Sequence, residues 1–260
     1  MSLYSLHDYA SKFRQIADMY DGTAKRSAEL TELIDSYTGF IMNPSNIPLW
    51  EELEQPGSRR GHELAAELRE VSARCVSIME KNRAIKVLGG VEEAAAYFAN
   101  VESCIEQEFG SFHLSSDSKV VMIGSGAFPI TPMLIGRQKN VEVLGLDIDK
   151  EAVELSNNVL KKLGSTLPIR LVTGEIHDFK LEIKAATHII FSSTVALKYE
   201  LLDRLHALTS KGVVVSMRYG NQLKSLFNYP MQPVDESKWR IAEQLSCPGQ
   251  VFDVALYCKV

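Results

Sequence analysis

The stretch from Lys119 to Asp149 constrains this chain more than any other. It opens on Lys119-Val120-Val121-Met122-Ile123, an apolar β-branched run that reaches Gly124-Ser125-Gly126. A helix-compatible segment leads to a second run, Val141-Glu142-Val143-Leu144-Gly145-Leu146, which ends at Asp147-Ile148-Asp149. Strand, glycine turn, helix, strand and acid is the order of the first half of a nucleotide-binding α/β unit. Glycine at 124 and 126 lets the backbone turn sharply and approach a ligand where a Cβ would collide. The acid comes about 20 residues on, at the tip of the second strand, where a carboxylate accepts ribose hydroxyl protons. Asp147, with Asp149 beside it, is the candidate for that role.

The turn also says which nucleotide to expect. A dinucleotide site needs a third glycine opening the helix, so that a pyrophosphate can rest on the helix N-terminus. Here the chain continues Ala127-Phe128-Pro129-Ile130-Thr131, with neither that glycine nor the Lys-Ser/Thr of a phosphate loop. Pro129 suits the start of a helix, where its missing N–H is not needed. The loop therefore fits a nucleoside without phosphates. S-adenosylmethionine, which joins adenosine, an amino acid and a sulfonium, meets that description, with Gly124, Ser125 and Gly126 as contacts. A tight βα connection that holds no ligand shows the same glycines; the acid at the second strand tip argues against it.

Composition removes other classes. With 260 residues, 45% of them hydrophobic and 23% charged, the chain is globular, of one large or two small domains. Its net charge of −5 offers no basic face to a phosphate backbone, so no nucleic-acid partner is expected. No apolar run reaches bilayer length, and Met1 to Ala10 lacks the apolar centre of a signal peptide. Cys75, Cys104, Cys247 and Cys258 lie far apart, without a CxxC pair. His62, His113 and His177 have no ligand spacing, so no metal is expected. A cytoplasmic protein is the expectation.

From Leu6 to about Phe112 the apolar positions follow a helical period: Phe13, Ile16, Met19 and Tyr20, then Leu30, Leu33, Ile34 and Tyr37. Loops are expected at Asn43-Pro44, Ile47-Pro48 and Pro56-Gly57. A long helix carries Leu64, Leu68, Val71, Cys75, Ile78 and Met79 on one face, and another carries Tyr97, Val101, Cys104, Ile105 and Phe109. From Ser115 onward strands and helices alternate. Further strands are expected at Pro168–Val172, Thr187–Phe191 and Gly212–Met217, helices at Ala152–Leu163 and Leu201–Leu208, and a closing hairpin at Trp239–Leu245 and Val251–Cys258. The fold class is α/β: an N-terminal helical bundle (1–114), acting as substrate or lid domain, followed by a class I methyltransferase-like Rossmann sheet (115–260).

The strand tips hold the remaining chemistry. After the third strand, Gly174, Glu175 and Asp178 are placed to meet an adenine amino group, or form a solvated turn. After the fourth come Ser192-Ser193-Thr194, polar residues over the ligand, where methyltransferases of nucleobases carry an Asn/Asp-Pro-Pro motif that is absent here. After the fifth come Arg218 and Tyr219. An arginine fork matches a substrate carboxylate, and equally a structural ion pair. Spacing alone does not single out Glu80.

Gly124-Ser125-Gly126-Ala127-Phe128-Pro129-Ile130-Thr131, Leu146-Asp147-Ile148-Asp149, Met217-Arg218-Tyr219-Gly220 and Phe227-Asn228-Tyr229-Pro230 together resemble a nicotianamine-synthase-type enzyme. Phe40-Ile41-Met42-Asn43-Pro44, Tyr97-Phe98-Ala99-Asn100, His188-Ile189-Ile190-Phe191, Leu197-Lys198-Tyr199 and Phe252-Asp253-Val254-Ala255-Leu256-Tyr257 bring the likeness nearer to bacterial histidine 2-aminobutanoyltransferases of opine-type (staphylopine-type) metallophore biosynthesis. It spans almost the whole chain. Plant-type members have a longer aromatic run where this chain has Ala96-Tyr97-Phe98.

The resemblance implies transfer of the 3-amino-3-carboxypropyl (2-aminobutanoyl) arm of S-adenosylmethionine to the α-amine of D- or L-histidine, with release of methylthioadenosine. It implies Glu80 as the base that takes the amine proton and Tyr97 as its partner in orienting the amine. Gly124, Ser125, Gly126, Asp147, Asp149, Glu175 and Ser193 are expected on the S-adenosylmethionine side, and Asn100, Arg218 and Tyr219 on the histidine side. A homodimer and a downstream opine dehydrogenase are the expected protein partners. A small-molecule methyltransferase on the same fold would instead release S-adenosylhomocysteine. A non-catalytic S-adenosylmethionine-binding module would bind without turnover.

Overall fold

A computed structural model describes residues 3–90, 108, 110, 112–247 and 249–260. Tyr97 and Asn100, with the helix expected around them, lie outside the described residues. The first part folds as α1 (Leu3–Asp18), α2 (Ser27–Ile41), α3 (Ile47–Leu53) and α4 (Arg59–Leu88). α3 replaces the loop expected at Ile47-Pro48. Pro48 stands in its first turn, where a missing N–H costs nothing, so it opens a helix instead of interrupting one.

The helices bury Leu6, Phe13, Leu30, Tyr37, Leu68 and Cys75 in one core. That core is completed from far along the chain by Leu223, Leu226 and Phe227. The Tyr37 ring lies 5.5 Å from that of Phe227, and its hydroxyl donates to the Leu226 carbonyl oxygen at 2.8 Å. The bundle and the later part of the chain therefore share an interior.

The second part is a seven-stranded sheet in the order β3-β2-β1-β4-β5-β7-β6. Its strands are β1 (Lys119–Ile123), β2 (Glu142–Asp147), β3 (Ile169–Thr173), β4 (His188–Phe191), β5 (Val214–Tyr219), β6 (Trp239–Leu245) and β7 (Asp253–Lys259). β1 to β5 pair in parallel, while β7 runs antiparallel between β5 and β6. The crossover helices are α5 (Ile130–Lys139), α6 (Lys150–Leu163), α7 (Lys180–Ala185) and α8 (Lys198–Leu208). α7, only 6 residues long, is too short to show a period in sequence. α8 begins three residues before the expected start, which places Lys198 in its first turn.

Alternation along the strands builds two cores. Val120, Met122, Val143 and Ile190 face α5, α6 and the last turns of α4, where Ala84 and Val87 pack. Val121, Ile123, Leu144 and Ile189 face α7 and α8. Neighbouring side chains on a strand point to opposite faces, so each apolar run fills both layers. Strand order reverses between β1 and β4, and their carboxyl ends open the crevice in which such sheets bind ligands.

The Tyr37 hydroxyl tests whether bundle and sheet form one cooperative unit. Tyr37→Phe leaves the buried Leu226 carbonyl oxygen without that donor, so equilibrium urea unfolding should show a loss of about 1–3 kcal/mol. The transition should remain single with an unchanged slope.

Candidate active site

The crevice is built around the glycine turn after β1. The N–H groups of Gly124 and Ser125 both donate to the Leu146 carbonyl oxygen, at 2.9 and 3.1 Å, which ties the turn to the tip of β2. Gly124 and Gly126 have φ of +79° and +69°, in the left-handed region that favours glycine. A Cβ on Gly124 would stand 2.7 Å from Val195 Cγ2, on the turn after β4. A Cβ on Gly126 would overlap the Glu80 carboxyl, coming 2.0 Å from its Oε2. The glycine expected to admit a ligand thus also admits a carboxyl group from the helical half.

Glu80 stands on α4 and is only partly open to solvent. Its carboxyl accepts the Ala127 N–H. Its pKa is pushed up from the ordinary carboxylate range to about 7, first by burial and then by the charge of Asp147. Arg83, the Ala127 N–H and Arg218 pull the other way without restoring it.

α4 is seated on α6 by ion pairs next to this residue and by hydrogen bonds at its C-terminal end. Lys81, 8% exposed, donates to Asp149 at 2.7 Å and to Glu151 at 2.5 Å. Lys162, near the far end of α6, donates to the carbonyl oxygens of Val87 and Leu88 at 2.8 and 3.2 Å. The bond to Leu88 serves one of the carbonyl groups of the last turn, and Val87 accepts the Gly90 N–H as well, at 3.1 Å. Between them the bonds of Lys81 and Lys162 fix the axial position of α4 against α6, and with it the height of Glu80 above the turn.

Asp147 lies beside the same glycine. Its Oδ2 accepts the Gly126 N–H at 2.8 Å and its Oδ1 accepts the Asp149 N–H at 2.9 Å. A carboxylate has about four lone-pair sites, so both oxygens keep an acceptor site for ribose hydroxyls. Ser125 is buried over Gly145, whose missing side chain makes room for it, and among the described residues its hydroxyl has no hydrogen-bond partner. An orphaned hydroxyl and two free acceptor sites at a phosphate-free glycine turn fit the nucleoside part of S-adenosylmethionine.

Other expected site residues are placed differently. The Asp149 carboxylate caps α6 through the N–H groups of Glu151 and Ala152, besides holding Lys81. Glu175 is exposed and forms a capping box with Asp178 at a single 3₁₀ turn. Ser193 stands at the tip of β4. Arg218 points to one face of β5, buried, and Tyr219 to the other, within the core shared with α7 and α8.

The Arg218 fork is occupied by the protein's own carboxylate. Its Nε and Nη2 donate to Glu108 Oε1 and Oε2 at 2.8 and 2.6 Å, and Nη2 lies 3.3 Å from Thr131 Oγ1. Ser216 donates to the same Glu108 at 2.9 Å, and Phe252 covers the guanidinium 5.1 Å from its ring centre. Of the two readings open to an arginine here, the structure contains the ion pair. Nothing in local sequence pairs residues so far apart in the chain. Lys81 escaped sequence reasoning because it lies in a stretch whose pattern shows only a helix, and Lys198 because it lies ahead of the helix expected at Leu201–Leu208.

The fold and this crevice define a class I methyltransferase-like sheet capped by a helical domain. No family model matches the chain. It is similar to the L-histidine 2-aminobutanoyltransferase of Pseudomonas aeruginosa (strain PAO1), 27% identical over 222 residues that cover 84% of this chain and 82% of that protein. A protein of the same name from Yersinia pestis is 29% identical over 194 residues, 74% of this chain and 71% of that one. Among solved structures, the nicotianamine synthase MtNAS in complex with MTA and tNA aligns with a TM-score of 0.78 at 16% identity, over 99% of this chain and 98% of that chain. A Glu-to-Gln mutant of MtNAS in complex with S-adenosylmethionine aligns with a TM-score of 0.73 over 96% and 98%. Both arms of the resemblance expected from the motifs are thus found, and the likeness in fold takes in the helical part as well as the sheet.

The raised pKa of Glu80 has a consequence for stability. A carboxyl whose pKa is higher when folded binds its proton more tightly in the native state, so stability falls as pH rises from about 4.5 to about 7 and then levels off. Glu80→Gln removes that loss. Thermal melts of the unliganded protein should show the variant more stable than the wild type above pH 7, with the gap closing below pH 4.5.

Proposed function

We propose that this protein transfers the 3-amino-3-carboxypropyl (2-aminobutanoyl) group of S-adenosylmethionine to the α-amine of histidine, releasing methylthioadenosine. The observation that carries the reading is Glu80 seated against the glycine turn with a pKa near 7. A transfer to an α-amine needs such a group, because the ammonium form has no lone pair to attack with. A carboxylate with a pKa close to ambient pH is ionised often enough to act and basic enough to hold the proton. The names of the sequence relatives supply the acceptor, L-histidine.

S-adenosylmethionine supplies the sulfonium as leaving group. The carbon attacked is the one at which the site aligns the nucleophile opposite the departing sulfur. The acceptor nitrogen bonds to the Cγ carbon of the donor's amino-acid arm as the carbon–sulfur bond breaks and its electrons go to sulfur. Glu80 takes the amine proton. Asp147 is read as the ribose acceptor, with Gly124 to Gly126 forming the wall of the nucleoside site and Ser193 lying above it. Glu175 is read as reaching toward the adenine.

Asp149 and Arg218 enter as positioning residues, since their charged groups are engaged within the protein. Tyr219 enters through the packing of β5. Tyr97 and Asn100 are assigned by resemblance to the acceptor amine and the histidine. The reading also carries a cytoplasmic location, a homodimer and a downstream opine dehydrogenase acting on the amine that the product keeps.

Incubation with S-adenosylmethionine and L-histidine, followed by mass spectrometry, should give methylthioadenosine and an adduct of histidine heavier by one aminobutyrate. S-adenosylhomocysteine as the main nucleoside product would replace this reading with methyl transfer. D-histidine in parallel reports the enantiomer accepted. Glu80→Gln should lower turnover by about 10²–10⁴-fold, the range for a lost general base, and recover part of it as pH rises toward the pKa of the amine. Near-normal turnover of that variant at neutral pH would place the base elsewhere.

A further inference from the structure

The parallel ladder between β4 and β5 ends at the pair Phe191 and Met217. The polar tips begin immediately afterwards, at Ser192 on one strand and Arg218 on the other. Beyond the last pair, among the described residues, the two strands share no further rung. Each tip is held from its outer side. Ser192 N–H donates to the Ile123 carbonyl oxygen at 3.0 Å, and Ser192 and Val195 lie against Gly124. The tip of β5 is paired to β7 through Arg218 with Val254 and Tyr219 with Asp253, and its arginine grips Glu108. The β4 tip thus belongs with the glycine turn, and the β5 tip with Glu108 and the closing hairpin.

Lys198 lies across the gap. It is fully buried, at 0% exposure, in the first turn of α8. Its Nζ donates to the Ser193 carbonyl oxygen at 2.9 Å and to the Arg218 carbonyl oxygen at 2.6 Å, and sits 5.9 Å from the centre of the Tyr229 ring. We propose that Lys198 is a positioning residue for the transfer: its nitrogen supplies the rung that the sheet lacks, and so holds the donor side of the site in register with the acceptor side. This inference rests on the transfer reading above.

Energetics favour a geometric role over a merely stabilising one. Burial, and then the charge of Arg218, bring the Lys198 pKa down to about 7. These two bonds go to main-chain oxygens, so neither partner offsets the charge as a carboxylate would. An apolar side chain of similar length would fill the same space without that cost. What it would not do is join two carbonyl groups on different strands. The neutral amine keeps two N–H donors, so the bridge survives loss of the charge.

The test is Lys198→Met in the full-length protein. Calorimetry with S-adenosylmethionine alone gives the donor Kd; adduct formation from S-adenosylmethionine and L-histidine gives kcat and the acceptor KM. The expected result is a donor Kd like that of the wild type and a kcat lower by about 10²-fold, the cost of a misplacement of about 1 Å at the reacting atoms. A kcat equal to the wild type overturns the proposal, as does a loss accounted for by weaker donor binding or by the fraction unfolded. If Lys198→Met does not fold, Lys198→Gln is measured in the same way. Its shorter amide reaches one tip but not both, so kcat should again fall at constant Kd, and wild-type kcat overturns the proposal. A wild-type protein that forms no adduct would instead refute the transfer reading, which separates the two failures.

Discussion

The carboxyl group of Glu80 reaches the tip of β1 only because residue 126 has no side chain, and this close approach governs how the two parts of the molecule fit together. A helix that must deliver a short carboxyl to a backbone turn cannot slide by a residue. The bonds from Lys81 and Lys162 to opposite ends of α6 answer that demand, since they fix α4 along its axis at two separated points. The same α6 begins at the Asp149 cap, two residues beyond Asp147. One short helix therefore sets both carboxyl groups that flank Gly126.

The charges divide accordingly. Arg218 is matched by Glu108, and Lys81 by Asp149 and Glu151. Glu80 and Asp147 face the crevice with backbone N–H partners and each other's repulsion. A crevice faced by two carboxyls, at one of which Arg83 and Arg218 do not outweigh burial, favours a positively charged guest. A sulfonium is such a guest, and its arrival would stabilise the ionised form of the Glu80 carboxyl.

Much of this was legible in the sequence, for identifiable reasons. β1 announces itself because strand, turn and acid fall within one contiguous stretch, and its continuous apolar, β-branched run is local information. Glycine at 126 was readable as a place of close approach, but not that a glutamate would be what approaches. That contact joins a long helix to a distant loop, and no short-range pattern encodes it. Arg218 shows the same limit: an arginine at a sheet edge suggests an anion, and whether the anion is a substrate or Glu108 depends on tertiary placement. α3 was misread because proline punctuates loops and first helical turns alike. The early start of α8 was missed because Leu197 provides no capping side chain to mark it.

The core shared by α1, α2 and α4 with Leu223, Leu226 and Phe227 bears on how the chain is made. During synthesis the four helices leave the ribosome long before those residues exist, and for that interval the bundle presents an uncovered apolar face. The sheet cannot close early either, because β7 is made after β6 yet lies between β5 and β6. Vectorial folding, in which each domain sets as it emerges, is therefore denied to both halves. They reach their final form together only once β7 has been made, and a ribosome that stops short of that strand releases a chain with both interiors open.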